Sequence, residues 1–117
     1  MAYKYINTEY IDSVAGGDKE IISEIIGMFR EQVVEFHAEM KKLLDEKQYF
    51  NLGLLAHKAK SSVAIMGMSE LAVMLKNFEL EAKEGKAPEN YGPYVERFRE
   101  DTAEAVKELD DLLGKMN

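Results

Sequence analysis

His57 is the residue in this chain best placed to do chemistry. Lys60 follows it by three positions and Ser61 by four, and on a helix those spacings put an ammonium and a small side chain on the same side as the imidazole. A neutral imidazole nitrogen is a competent nucleophile near neutral pH, and a cation one turn away can hold an anion against it. The surroundings are consistent with an anionic substrate: no Asp or Glu occurs from Lys47 to Ser69, where the chain-wide frequency would place about four. At about 100° per residue, Gly53, Leu54, His57, Lys60, Ser61, Ala64 and Met68 fall on one face, turned away from the core stripe of their helix. Small and apolar residues stand there in place of the Glu and Lys of an ordinary solvated face, which leaves the imidazole accessible. Lys58 projects to the side and is assigned only solvation or weak steering. His37 lies among Glu35, Glu39 and Lys41 and reads as an ordinary solvated histidine.

Other chemistries find no support. A di-metal helix site uses Glu-x-x-His pairs, but Val34 and Leu54 stand three residues before His37 and His57. The HExxH, EF-hand, phosphate-loop and dinucleotide patterns are absent. Without cysteine there is neither a thiolate site nor a disulfide framework. No metal or cofactor is expected, and the 22 carboxylates read as solvated helix surface rather than as a catalytic pair.

The elements that must position His57 follow from the spacing of apolar residues. Gly16-Gly17 punctuates the chain, and Asp18 is placed to cap a helix carrying the stripe Ile22, Ile25, Phe29, Val33, Phe36, Met40 and Leu43. A second stripe, Leu52, Leu55, Ala59, Val63 and Met66, ends at Gly67, where a left-handed cap is expected; Ser69 is read as the cap of the next helix. Leu71, Leu75, Phe78 and Ala82 form a third stripe stopping at Gly85, and KAPENYGP reads as a loop. Val95, Phe98, Thr102, Ala105, Leu109 and Leu112 form the last, closed by Gly114. Four such helices with short connections predict an all-α fold, an antiparallel up-down-up-down four-helix bundle, with a short N-terminal helix from about Thr8 to Ala15 over one end. At 117 residues the chain is expected to be a single domain.

The formal charge of −7 disfavours nucleic acid and anionic lipid as partners. MAYKYINTEY lacks the apolar run of a signal peptide, and no apolar run approaches the roughly 20 residues of a membrane helix. A soluble, cytoplasmic, free-standing monomer is the expectation.

Leu55-Ala56-His57-Lys58-Ala59-Lys60-Ser61-Ser62, then Met66-Gly67, then Leu71 and Leu75 through Glu79 and Glu81, resemble histidine-containing phosphotransfer (HPt) domains of bacterial multistep phosphorelays. That family's pattern is Ala-His, two residues, Lys, Gly and then Ser or Ala, followed by a Leu-Gly pair and a Leu-x-x-x-Leu stretch ending near Glu. The likeness covers roughly residues 7–113. Ser61 stands where the family commonly has glycine, and Met66 where it commonly has leucine; the first remains small and the second conserves core volume.

The resemblance implies that His57 accepts and donates a phosphoryl group, that Lys60 stabilises the phosphate, and that Ser61 is a small docking position beside Gly53, Leu54, Ala64 and Met68. It also implies response-regulator receiver domains and a hybrid sensor histidine kinase as partners. The donor would be an aspartyl phosphate on a receiver domain, which brings the magnesium ion, so the chain would need no kinase or nucleotide site of its own. The competing expectation is a helical adaptor of the same fold that binds receiver or kinase domains without phosphotransfer.

Overall fold

The computed structural model describes residues 3–115. Its order is α1 (Glu9–Ala15), α2 (Lys19–Asp45), α3 (Tyr49–Ile65), α4 (Ser69–Glu84), a 3-10 turn (Pro88–Asn90) and α5 (Tyr91–Lys115), with no strand among the described residues. None of these helices is long and apolar enough to cross a membrane.

The helix ends follow local chemistry. The Asp18 side chain accepts from the backbone N–H groups of Glu20 and Ile21, so two of the unpaired donors at the start of α2 are satisfied. Gly67 and Gly85 take positive φ, 74° and 66°, at the ends of α3 and α4. At Gly67 a side chain is also excluded by contact, since a Cβ there would lie 2.4 Å from the Cβ of Asn7. This close approach lets Asn7 donate its backbone N–H to the Met66 carbonyl at 3.0 Å, tying the N-terminal segment over the α3–α4 turn. The same segment is fixed to α5 by Glu108, which accepts from the backbone N–H groups of Lys4, Tyr5 and Ile6.

Three local expectations differ from the structure. Ser69 is the first residue of α4, and Met68 precedes it without any side-chain cap. Tyr91-Gly92-Pro93, read as loop, forms the first turn of α5; proline fits there because first-turn N–H groups have no partner within the helix. Gly114 does not close α5, which runs on to Lys115.

Each long helix buries one stripe against two others. α2 packs on α3 and α5, α4 packs on α5, and the most extensive contact joins α3 to α4. The buried side chains form one cluster, in which Phe29, Phe78, Phe98, Leu75 and Leu109 are among the largest fully enclosed. Each such side chain contributes about 1.5–3 kcal/mol by leaving water. Tyr91 is fully buried and stacks edge-on to Tyr49 at the start of α3. Its hydroxyl reaches the carbonyls of Glu81 and Lys86, while Tyr94 donates to the Glu81 carboxylate at 2.8 Å. The end of α4 is thereby held against the beginnings of α3 and α5, and α4 carries a residue that meets His57.

Candidate functional site around His57

α3 buries Leu52, Gly53, Ala56, Ala59 and Val63. Gly53 and Ala56 are small, so the backbone of α4 can come close on that side. Along α4 the buried stripe is Leu71, Met74, Leu75, Phe78 and Ala82, and one acid, Glu79, shares it. Glu79 is only 4% exposed.

The imidazole of His57, 55% exposed, has Nδ1 3.0 Å from Oε1 of Glu79. The other carboxylate oxygen accepts from Nζ of Lys83 at 2.8 Å. Nζ of Lys60 lies 3.9 Å from Oε1, an ion pair longer than a hydrogen bond. The Lys83 ammonium holds the Glu79 carboxyl down at about 2; burial opposes that shift and the His57 hydrogen bond adds to it. Glu79 is therefore ionised throughout the neutral range. An ionised carboxylate only accepts, so the proton of the neutral imidazole resides on Nδ1 and is donated to Glu79. Nε2 is left unprotonated, and among the described residues nothing bonds it.

Comparisons with family models, curated proteins and solved structures find no match to this chain. The site must be read from its own geometry. That geometry is a half-exposed imidazole with an unprotonated Nε2, an ionised residue fixing its tautomer, and ammonium groups close by. No three His, Asp or Glu side chains gather to hold a metal ion among the described residues.

The structure brings Lys60 to the His57 side of α3 and leaves Leu54, Ser61 and Ala64 exposed beside it. Two residues expected on that open face are elsewhere. Met68 is a core residue, 3% exposed, because α3 ends at Ile65 and the chain turns through Gly67; a helical angle cannot be carried past that point. Gly53 is buried, with the Lys83 stem and the α4 backbone over it. Phe50 and Ile65, absent from the expected face, are exposed on α3 seven residues before and eight after His57.

His37 is also placed differently from the solvated position expected. Its Nε2 is enclosed without a hydrogen-bond partner among the described residues, and burial lowers its pKa, favouring the neutral ring. Glu79 and Lys83 are the site residues to which sequence reasoning gave no role. Glu79 stands four residues after Leu75 and three before Ala82, so a charge on the core stripe was the available signal.

Proposed function

We propose that this chain is a phosphorelay intermediary of the HPt kind, taking a phosphoryl group from an aspartyl phosphate on a receiver domain and passing it to another. The observation that carries the reading is the exposed His57 imidazole whose Nδ1–H is held by the buried, ionised Glu79. The lone pair of Nε2 would attack phosphorus in line. A P–N bond forms as the P–O bond to the aspartyl group breaks, and the aspartate carboxylate leaves with the electron pair. The ring keeps its Nδ1 proton and gains positive charge, which Glu79 faces at 3.0 Å. No proton has to leave for the step to balance, and the reverse step returns the group to a second receiver. Lys60 would compensate the charge on the phosphoryl oxygens.

Under this reading the helices form an antiparallel up-down-up-down four-helix bundle, with α1 over one end. Support comes from the short α2–α3 and α3–α4 turns and from the contacts of α2 with α3 and α5, and of α4 with α3 and α5. Leu54, Ser61 and Ala64 then belong to the docking face, a hybrid sensor kinase starts the relay, and magnesium arrives on the receiver domain. The setting proposed is cytoplasmic. The test is incubation with a phosphorylated receiver domain: acid-labile, base-stable phosphate on the wild-type chain and none on His57→Gln supports the reading, whereas no such phosphate on the wild type refutes it.

A further inference from the structure

Lys83 meets Glu79 at 2.8 Å from one turn along α4 and is itself two-thirds enclosed. Its stem crosses α3 at Gly53, four residues before His57. A Cβ on Gly53 would come within 2.8 Å of the Lys83 Cγ, 3.0 Å of the Glu79 carbonyl oxygen and 3.0 Å of the Lys83 backbone nitrogen. The missing side chain is therefore a notch in α3, occupied by the Lys83 stem and bordered by the α4 backbone that carries Glu79. A methyl group there must push away both the lysine stem and the backbone next to the carboxylate.

We propose that Lys83 is a positioning residue: seated in the Gly53 notch, it clamps one oxygen of Glu79 so that the other stays against Nδ1 of His57, fixing the imidazole tautomer and leaving Lys60 for an incoming phosphoryl group. This role serves the transfer proposed above. The two lysines divide the work by distance. Lys83 hydrogen-bonds the carboxylate, whereas Lys60, at 3.9 Å from it, has no short bond to give up when an anion arrives at Nε2. Without Lys83, Lys60 becomes the remaining ammonium beside Glu79, and its charge is drawn towards the carboxylate instead of the phosphate. The notch also explains a glycine inside a helix, where alanine would ordinarily be preferred.

The experiment combines imidazole nitrogen NMR of His57 with the rate of phosphorylation by phosphoramidate. In Lys83→Met the nitrogen shifts should move from the separated values of a fixed tautomer towards averaged ones, and phosphorylation should slow roughly tenfold, the loss of one charged hydrogen bond. Lys83→Arg should restore both. Gly53→Ala keeps every charge and favours helix, so it should remain folded by circular dichroism while moving the His57 shifts in the same direction as Lys83→Met. Lys60→Met should slow phosphorylation with the separated shifts retained. Unaltered His57 shifts in both Lys83→Met and Gly53→Ala, or failure of Lys83→Arg to restore them, would overturn the role. If the wild type accepts phosphate from neither phosphoramidate nor a receiver domain, the phosphotransfer reading fails, while the NMR arm still decides whether Lys83 orients His57.

Discussion

Nδ1 of His57 lies 3.0 Å from Oε1 of Glu79, a residue 22 positions later on the neighbouring helix. The pair joins an exposed ring to a buried charge, and the two halves have opposite requirements. For the proposed transfer the imidazole must remain accessible to a phosphodonor, whereas the carboxylate must be screened from water to act strongly on it. The sharp turn at Gly67 and the Tyr91 anchor bring α3 and α4 together so that both requirements are met across one helix contact.

Removing the charge of Glu79 should be felt in both stability and reactivity. Its folded pKa, about 2, lies below the ordinary value of 4.5, so the folded state binds this proton less readily than the unfolded chain. The stabilisation is fully present above about pH 5 and disappears as pH falls through 4.5 towards 2. Denaturant titrations from pH 6 to 2 should show this loss in the wild type and a flatter profile in Glu79→Gln. At neutral pH the same variant should accept phosphate at a rate reduced about tenfold, because a neutral acceptor replaces a charged one. An equally steep acid loss in Glu79→Gln would assign the acid sensitivity to other carboxylates.

Lys60 and Lys58 separate geometry from general charge. Lys60→Ala should slow transfer by about 10- to 100-fold, equivalent to one charge-assisted contact of about 1.5–3 kcal/mol. Lys58 is exposed, and Lys58→Ala should change the rate less than about twofold. Single-turnover transfer from one phosphorylated receiver domain reads both variants, and equal losses would mean that overall charge, rather than the position of Lys60, governs the rate.

The proposed docking face, without the buried Met68, predicts contrasting variants. Ser61 is exposed one turn beyond His57, so Ser61→Arg should weaken receiver binding at least tenfold by titration while altering phosphoramidate reactivity only a few-fold. Met68 is in the core, so Met68→Ala should lower stability by about 2–4 kcal/mol. Measured at a temperature where it stays folded, Met68→Ala should bind the receiver normally. A binding defect there without loss of stability would return Met68 to the docking face.

What was legible in the sequence was local. Asp18 capping α2, the left-handed turn at Gly67, the stop of the third stripe at Gly85, and the stripes of α2 and α5 each depend on neighbours within a few residues. The exposed His57 with Lys60 one turn on was legible for the same reason. Glu79 was harder to interpret, since Lys83 lies one turn away on its own helix but the acid meets His57 only where α3 packs beside α4. Gly53 was read as open, because a missing side chain has the same sequence signature whether solvent or another helix fills the space. Met68 was misplaced by extending a helical angle beyond Ile65, and His37 by judging burial from its immediate neighbours while α5 packs against α2.

The central claim is that Nε2 of His57 carries the phosphoryl group. The measurement that tests it most directly is transfer from a radiolabelled, phosphorylated receiver domain to wild-type, His57→Gln and His37→Gln chains, with the acid and base stability of the product determined. Acid-labile, base-stable label is expected on the wild type and on His37→Gln, and none on His57→Gln, which should retain the wild-type helical content. Label on a correctly folded His57→Gln chain, or none on the wild type, would contradict it.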